Sequence, residues 1–577
     1  MNYSSHTIPS HKLEGWRARV MLILLILGFV LLGARALYLQ GVNNDFYQQK
    51  GEARYSRVIE MPATRGMITD RNGEPLAIST PVESICASPD DVELSPEQSR
   101  RLAKLLGMDK SEIQKRLAGK ERNFVYLKRQ LPPELAAKVM ALDIPGIFSQ
   151  REYRRYYPAG QVAAHLVGFT GLDESGQEGM ELAYQSQLAG KPGSRRVIRD
   201  RLGRIVEDVE SIRAPQQGKD LVLSIDHKIQ YLAYRELKAA VEANKARGGA
   251  LVVLDAASGE VLALVNQPDY NPNNRSKLTG QQTRNRTLTD AFEPGSTMKP
   301  FTVAAALEAG LVEPDSVIDT APGWLQVGRA TIHDSHPEGL LTVGQVIQKS
   351  SNVGSAKMAL QLPPEKMWNL FHQAGFGAAP KAGFPGEVGG KLRPYKTWKP
   401  IEQATMSYGH GITASLLQLA RAYTLFASAG ELKDITLLKA QASAPSKAVL
   451  QPQTAAAVRA MLELAVQPGG TAPKAQVPGY RVAGKTGTAH KQEGQGYAAK
   501  RYVSSFIGMA PASNPRLIVA VMLDEPSAGQ YYGGVVAAPV FSSVMGSALR
   551  ALSIPMDAPL QEAALPADEF PEVREEG

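Results

Sequence analysis

The sequence predicts an α+β fold, in which one antiparallel sheet is built from both ends of a domain. Two apolar runs flank a Ser-Gly turn within residues 249–265 and predict a hairpin of central strands. Strand-like runs return at residues 480–489, 502–509 and 517–523, after a middle stretch that is rich in helical patterns. Strands at both ends with helices between them are typical of an α+β unit.

The length and composition indicate a protein with more than one folded unit. The chain has 577 residues, of which 44% are hydrophobic and 21% are charged, as in ordinary globular proteins. Its 64 basic and 56 acidic residues give a net charge of +8, but no dense basic tract with interleaved aromatic residues favours nucleic-acid binding. The single cysteine, Cys86, excludes an internal disulfide and cysteine-based metal sites.

An apolar run near the N-terminus predicts a membrane anchor. Residues 20–34 are uncharged, basic residues precede them, and the apolar character continues beyond them. We predict one transmembrane helix over residues 18–40, a cytoplasmic tail over residues 1–17, and translocation of everything that follows. A cleaved signal peptide is the alternative, because Ala34-Arg35-Ala36 matches the small-x-small cleavage pattern.

Composition divides the translocated part into three segments. Residues 41–215 are polar and turn-rich and predict an N-terminal domain, which ends in a PQQGK linker. Residues 219–553 carry the α+β pattern described above. Residues 554–577 are rich in Pro and Glu, with seven acidic residues against one basic residue, and predict a disordered tail.

Ser296 and Lys299 form the first of three short patterns that carry chemistry. A Pro-Gly pair precedes Ser296 and a helical FTVAAAL run follows, so Ser296 is predicted at a helix N-terminus with Lys299 on the same face. A serine hydroxyl needs a base to become a nucleophile, and a buried lysine with a lowered pKa can supply one. Alone, such a pattern more often marks a capping serine beside a surface lysine.

Two further patterns strengthen the interpretation of Ser296 as a nucleophile. Ser350-Ser351-Asn352 offers a second hydroxyl and an amide, which can relay a proton and hold a peptide bond. Lys485-Thr486-Gly487-Thr488 ends a strand-like run that can pair with an extended substrate. Its lysine and hydroxyls suit a carboxylate, and Gly487 leaves room for close approach. In this order, the three patterns match the signature of serine β-lactamases and penicillin-binding proteins.

Longer motifs surround these patterns and carry a wider resemblance. They are RGMITDRNGEPLA (65–77), RRYYPAG (154–160), GFTGLDESGQEGMEL (168–182), NRTLTDAFEPGSTMKP (285–300), KSSNVG (349–354), GFPGE (383–387), SYGHGI (407–412), GKTGTA (484–489) and FIGMAP (506–511). With them, the chain resembles the class B penicillin-binding proteins, in particular the septal, FtsI-like D,D-transpeptidases, from the membrane helix to about residue 553.

The resemblance implies a role for each residue of the three patterns. Ser296 would attack the penultimate D-Ala carbonyl of a stem pentapeptide, with Lys299 as its base. Ser350 would pass the proton to the leaving D-Ala. Asn352 would hold the amide of the acyl chain, and Lys485 would support the electrostatics of the relay.

The same resemblance implies how the substrate is bound. Thr486 and Thr488 would bind the terminal carboxylate, and the backbone N–H groups of Ser296 and Thr488 would form the oxyanion hole. An amine from a neighbouring stem peptide would then attack the acyl-enzyme, and a β-lactam would acylate Ser296 by mimicking D-Ala-D-Ala. The family also places aromatic side chains along the groove, here Tyr408, Tyr502, Tyr531 and Tyr532.

Location and partners also follow from the resemblance. It implies a single-pass protein of the bacterial inner membrane with a periplasmic catalytic domain, in which residues 41–215 form a pedestal or dimerisation-type domain. The implied partners are a membrane glycan polymerase and other division proteins. The alternatives are a D-Ala-D-Ala carboxypeptidase or β-lactamase on the same fold, and a non-catalytic division scaffold or β-lactam sensor.

No cofactor or metal is predicted. Residues 479–486, GYRVAGKT, satisfy the formal P-loop pattern, but no strand precedes them and no helical pattern follows. His333 and His336 are three residues apart in a Pro- and Gly-rich turn, which favours a solvated loop over a zinc site. His410 lies in the SYGHGI motif and is assigned no catalytic role.

Overall fold

The computed structural model describes residues 15–42, 56–118, 124–199, 205–441, 445–493 and 496–559. The chain forms two compact units that are interleaved along the sequence. The first contains the described residues within 1–63, 81–152 and 191–216, and the second contains the described residues within 64–80, 153–190 and 217–577. The boundary predicted between residues 215 and 219 therefore coincides with only one of the points at which the chain changes unit.

The described part of the chain contains strands and helices that are numbered here in chain order. The strands are β1 (Ser56–Met61), β2 (Ile68–Thr69), β3 (Pro75–Ala87), β4 (Val125–Leu131), β5 (Ile147–Tyr156), β6 (Gly193–Arg199), β7 (Ile205–Arg213), β8 (Leu221–Val222), β9 (Gly248–Asp255), β10 (Val261–Gln267), β11 (Val317–Asp319), β12 (Trp324–Val327), β13 (Ala330–His333), β14 (Leu340–Thr342), β15 (Glu431–Lys433), β16 (Ser446–Ala448), β17 (Ala483–Glu493), β18 (Gly496–Ala510) and β19 (Leu517–Asp524). The helices are α1 (Gly15–Leu37), α2 (Pro96–Leu106), α3 (Lys110–Leu117), α4 (Pro133–Met140), α5 (Ala164–Val167), α6 (Gly179–Ala183), α7 (Gln185–Leu188), α8 (His227–Ala243), α9 (Gly280–Thr283), α10 (Arg286–Thr289), α11 (Lys299–Glu308), α12 (Val343–Lys349), α13 (Asn352–Gln361), α14 (Pro364–Gln373), α15 (Pro400–Met406), α16 (Leu416–Ala422), α17 (Thr424–Ala427), α18 (Pro452–Leu464), α19 (Gly533–Val536) and α20 (Ala538–Ala551).

The second unit is built around a five-stranded antiparallel sheet in the order β10-β9-β19-β18-β17. The predicted hairpin is confirmed as β9 and β10, and the later strand-like runs supply the other three strands. Strands β9, β10 and β19 are buried along almost their whole length, which explains their continuous apolar sequences. Among the described strands of this sheet, β17 lies at an edge, so one of its sides is not paired within the sheet.

Helices cover both faces of this sheet. On one face, α8 and α20 contribute Ile229, Leu237 and Phe541 to a buried cluster. On the other face, α11 is buried from Lys299 to Ala306, and Phe301 meets the ring of Phe376 edge-on at 5.3 Å. The α+β prediction is thus confirmed, and α11 is placed in the core of the unit.

The first unit contains a three-stranded sheet, β1-β6-β7, and a region in which β3 pairs with β4. Helix α2 begins with a capping box, in which Ser95 accepts from the Gln98 backbone and the Gln98 side chain accepts in return. Leu102 and Leu106 of this helix are buried in a small apolar core. Cys86 is fully buried, as expected for a lone cysteine that serves as a small apolar residue.

Three early motifs of the sequence meet inside the second unit. Glu181 is fully buried between two arginines, with Arg65 Nε at 2.6 Å and Arg155 Nε at 2.7 Å from its carboxylate. Arg155 also donates to the carbonyl of Gly66 at 2.8 Å. A buried carboxylate requires such partners because water no longer solvates it. Arg155 is therefore an internal ion-pair partner.

Helix α1 is long and apolar enough to cross a membrane. The candidate span covers Gly15–Gly41 and is not buried against the protein. A signal sequence has the same properties, so cleavage stays an open alternative. Residues 1–14 of the predicted cytoplasmic tail lie outside the described residues.

The C-terminal segment begins in contact with the second unit. The backbone carbonyl of Ile554 accepts from the Tyr480 hydroxyl at 2.7 Å, and Asp557 accepts from the backbone of Arg481 and from Ser513. Residues 560–577, which form most of the predicted disordered tail, lie outside the described residues.

Candidate active site

Ser296 and Lys299 lie where a tight turn enters α11. Residues Gly295–Met298 form a single 3-10 turn, which we call the nucleophile turn, and Lys299 begins the helix directly after it. Pro300 is tolerated there because the first helical turn has no internal partner for its N–H. The Lys299 ammonium Nζ lies 2.8 Å from Ser296 Oγ, so the three-residue spacing brings base and hydroxyl into hydrogen-bond contact.

The second pattern meets the first at the Lys299 ammonium group. Lys299 Nζ donates to the Ser350 carbonyl at 2.7 Å, to Ser350 Oγ at 3.1 Å and to Asn352 Oδ1 at 2.8 Å. Ser350 ends α12 in the left-handed conformation, with φ 61° and ψ 41°, and Ser351 caps the start of α13. This unusual backbone turns both Ser350 oxygens towards Lys299.

Burial and a neighbouring charge favour the neutral form of Lys299, which is the form that can accept a proton. Its side chain is completely buried, and this burial, together with the nearby charge of Lys485, lowers the pKa of Lys299 well below its ordinary value. The negative charge of Asp334 opposes that lowering. Lys299 can therefore exist as a neutral amine at a pH where an exposed lysine is protonated.

The third pattern lies on the edge strand β17, beside the nucleophile turn. Lys485 is fully buried, and burial lowers its pKa to about 7. Its ammonium donates to Thr486 Oγ1 at 3.3 Å, and the Thr486 hydroxyl donates to Thr471 Oγ1 at 3.1 Å. Thr488 Oγ1 accepts from the backbone N–H of Gly533 at 3.1 Å.

Glycines allow three backbones to approach one another here. A Cβ on Gly487 would lie 2.4 Å from Ser505 Oγ and 2.8 Å from the Pro294 carbonyl, so the missing side chain lets β17 pack beside the nucleophile turn. A Cβ on Gly409 would lie 2.1 Å from the Gly295 carbonyl, and Gly409 has φ +88°. The position of Ser296 is therefore fixed by backbone contacts from both sides.

The four tyrosines predicted in the groove occupy two places. The Tyr408 ring is mostly buried and lies 5.9 Å from Lys299 Nζ. The rings of Tyr502 and Tyr531 stack at 4.0 Å, and the ring of Tyr532, which is half exposed, follows at 4.5 Å. Tyr532 directly precedes Gly533, whose N–H donates to Thr488 Oγ1, so the stack lies beside the middle of β17.

Asp334, which no sequence motif singles out, organises the second pattern. Its carboxylate accepts from Ser351 Oγ at 2.7 Å and from the backbone N–H groups of Asn352 and Val353 at 2.5 and 3.0 Å. The Asn352 amide nitrogen donates to the neighbouring His333 carbonyl at 2.9 Å. A carboxylate at a helix N-terminus is stabilised by the unpaired N–H groups there, so Asp334 fixes the start of α13 and the orientation of Asn352.

Replacing Asp334 is predicted to slow acylation without abolishing it. The Asp334→Asn variant loses the charge that binds three donors, and we expect acylation by a penicillin to slow about tenfold. Its pH profile should also shift to lower pH, because the Asp334 charge no longer raises the pKa of Lys299. Stopped-flow acylation across pH measures both effects. An exposed matched control is Asp315→Asn, and an Asp334→Asn rate equal to that of this control would contradict the prediction.

The histidines of the chain do not gather into a metal site in the described ranges. Across these residues, no three His, Cys, Asp or Glu side chains form a group that could hold a metal ion. His333 is exposed and contributes its backbone carbonyl to Asn352. His410 lies beside the nucleophile turn, with Nδ1 3.2 Å from Glu293 Oε2.

Comparison with known proteins identifies two domains in the chain. Residues 249–546 match the penicillin-binding protein transpeptidase domain, and residues 60–223 match the penicillin-binding protein dimerisation domain. The probable peptidoglycan D,D-transpeptidase PenA of Neisseria gonorrhoeae is 44% identical over 553 residues, covering 95% of each chain. The peptidoglycan D,D-transpeptidase FtsI of Escherichia coli is 41% identical over 549 residues, covering 94% of this chain and 93% of FtsI.

Two solved structures are similar to this chain in fold. The transpeptidase domain of penicillin-binding protein 3 from Burkholderia pseudomallei is 52% identical, with a TM-score of 0.55, and covers 58% of this chain and 98% of that one. A peptidoglycan synthetase from Bifidobacterium adolescentis is 24% identical, with a TM-score of 0.70, and the match covers 88% of this chain and 99% of that one. At this level of identity, the likeness supports the fold alone.

An edge strand with Lys-Thr-Gly beside a serine-lysine turn fits the serine β-lactamases and penicillin-binding proteins, and the relatives above narrow the class to the latter. The chain belongs to the penicillin-binding protein family, among the peptidoglycan D,D-transpeptidases that include PenA and FtsI. The family, the fold class and the transpeptidase function predicted from the sequence are confirmed.

Proposed function

We propose that the protein cross-links peptidoglycan stem peptides through an acyl-enzyme on Ser296. The observation that carries this proposal is the fourfold contact of the buried Lys299 ammonium with Ser296, Ser350 and Asn352. In its neutral form, Lys299 takes the proton of Ser296 Oγ while that oxygen attacks the penultimate D-Ala carbonyl. Backbone N–H groups of Ser296 and Thr488 stabilise the oxyanion.

The second hydroxyl completes acylation. Ser350 Oγ donates a proton to the nitrogen of the leaving D-Ala and regains one from Lys299, so that the proton removed from Ser296 leaves with the product. Asn352 holds the amide of the acyl chain. Lys485 supports this relay, and Thr486 and Thr488 bind the carboxylate of the terminal D-Ala.

The second half of the reaction transfers the acyl group to an amine. The acceptor nitrogen attacks the ester carbonyl and loses a proton to Lys299. Lys299 then returns a proton to Ser296 Oγ, which leaves the ester as a hydroxyl. The stacked Tyr502, Tyr531 and Tyr532 line the groove beside β17. β-Lactams enter the same groove, acylate Ser296 and leave slowly.

We infer the cellular setting from the apolar helix and the FtsI relative. The protein is anchored by α1 in the inner membrane with a cytoplasmic N-terminus and a periplasmic catalytic unit, and it works in septal wall synthesis. A membrane glycan polymerase and other division proteins are the proposed partners, and the first unit is the proposed pedestal.

A labelled penicillin tests this function. The full-length protein in detergent is treated with the label and digested, and mass spectrometry locates the modified residue. We expect stoichiometric label on the peptide that contains Ser296, release over many minutes, and no label on the Ser296→Ala variant. Label on another residue would contradict the proposal. Rapid turnover of the penicillin would instead indicate a hydrolase, and an unlabelled protein would indicate a non-catalytic scaffold.

A further inference from the structure

Glu293 is a buried carboxylate three residues before Ser296 that the mechanism above does not use. Its side chain is only 4% exposed. It precedes Pro294 directly and so belongs to the chain segment that becomes the nucleophile turn. A buried charge requires specific partners, and the partners of Glu293 come from two distant parts of the sequence.

The first partners belong to the segment of residues 407–411. Glu293 Oε1 accepts from the backbone N–H of Gly411 at 2.8 Å, and Glu293 Oε2 lies 3.2 Å from His410 Nδ1. The backbone N–H of Gly295 also donates to the Gly409 carbonyl at 3.3 Å. This segment therefore runs against the nucleophile turn and is held there by the Glu293 carboxylate.

The second partner is Tyr497, at the start of β18. Its hydroxyl donates to Glu293 Oε1 at 3.1 Å, and its ring meets the His410 ring edge-on at 5.9 Å. Tyr497 lies opposite Gln492 in the β17–β18 hairpin, and β17 also carries Lys485. Through Tyr497, the end of β17 that is remote from Lys485 is connected to Glu293, three residues before Ser296.

Electrostatics favour a stable charged form of this carboxylate. Burial alone would raise the pKa of Glu293, but the contacts with His410, Gly411 and Tyr497 together hold it below its ordinary value. Burial and the Glu293 charge raise the pKa of Tyr497 to about 12, so its hydroxyl keeps the proton that it donates. The hydrogen bond between them is thus charge-assisted and stronger than a neutral one.

We propose that Glu293 is a positioning residue for Ser296, which locks the nucleophile turn, the 407–411 segment and the β17–β18 hairpin into one arrangement. It touches no reacting atom. It acts by keeping Ser296 Oγ within hydrogen-bond reach of Lys299 while β17 stays beside the turn. The inference rests on the proposed function only in taking Ser296 as the nucleophile.

The test separates positioning from folding. Full-length wild type, Tyr497→Phe, Glu293→Gln and the double variant are acylated with a fluorescent penicillin, which gives the maximal acylation rate k2 and the dissociation constant Ks. Melting temperatures are measured in parallel. Tyr231→Phe is the matched control, because Tyr231 and Tyr497 are equally exposed, at 51%.

We expect Tyr497→Phe to lower k2 about fivefold, with Ks and the melting temperature little changed. We expect Glu293→Gln to lower k2 about thirtyfold, with Ks little changed. The double variant should lose less than the product of the two single losses, because both changes weaken the same charge-assisted hydrogen bond. If Glu293→Gln does not fold, Tyr497→Phe alone decides the question, since it deletes only one hydroxyl from a half-exposed side chain.

Two results would overturn the inference. One is a Tyr497→Phe variant with the k2 of Tyr231→Phe, and the other is a double variant whose loss equals the product of the two single losses. Failure of the wild-type protein to become labelled at Ser296 is a separate result, because it would overturn the proposed function rather than the contacts of Glu293.

Discussion

Replacing Lys299 with Met is expected to slow acylation of Ser296 by about a thousandfold, because general-base catalysis contributes on this scale. Met fills a similar apolar volume but removes the ammonium that contacts Ser296, Ser350 and Asn352. The buried oxygens left without a donor add to the loss. The measurement is k2 for a fluorescent penicillin. The same substitution at the exposed Lys366 is the control and should leave k2 unchanged.

The pH dependence of the wild-type protein supplies a second check on Lys299. Protonated Lys299 cannot accept the Ser296 proton, so k2 falls as pH decreases through the Lys299 pKa. Because burial and the Lys485 charge lower that pKa, the acid limb should lie well below pH 10.5, the ordinary lysine value. A limb near the ordinary value, or a Lys299→Met variant that retains the wild-type limb, would exclude Lys299 as the base.

The second large effect is expected for Gly409→Ala. The new methyl group would lie 2.1 Å from the Gly295 carbonyl, and alanine also disfavours φ +88°. The backbone must move at the residue before Ser296. We expect a loss of about 3 kcal/mol or more in unfolding free energy, since overpacking and left-handed strain add together. Acylation should slow in parallel, and denaturant unfolding with penicillin acylation measures both.

Gly411→Ala is the matched control for this steric effect. Gly411 has a similar φ of +78°, but the nearest atom to its added Cβ, Met406 Cγ, lies 3.8 Å away. This variant carries the dihedral strain alone, about 1–2 kcal/mol. If the two variants are equally stable, the close contact between Gly409 and Gly295 does not determine the position of the turn.

The sequence predicts much of this site because the residues of the site lie in short local motifs. Ser296 and Lys299 are brought together by helical spacing alone. The Lys485 strand is recognisable from its apolar neighbours, and the β9–β10 hairpin from its turn. These features depend on residues that are close in the chain, so local propensities and periodicity suffice to find them.

Other parts depend on contacts between distant segments and leave no local signal. Asp334 lies in a Pro- and Gly-rich turn that reads as a solvated loop, yet it caps α13 from outside. Glu293 meets Tyr497 across more than two hundred residues. The interleaving of the two units is equally hidden, because the buried pairs of Glu181 with Arg65 and Arg155 form only when the chain has folded.

The stacked tyrosines are held by a different kind of contact from the residues around Ser296. Around Ser296, the geometry depends on close glycine contacts, on carbonyl groups and on two fully buried lysines. Tyr502, Tyr531 and Tyr532 meet one another mainly through ring faces, and half of Tyr532 faces solvent. If the groove beside β17 binds the acyl donor as proposed, substitutions at these rings are expected to change which donors fit while the contacts around Ser296 stay intact.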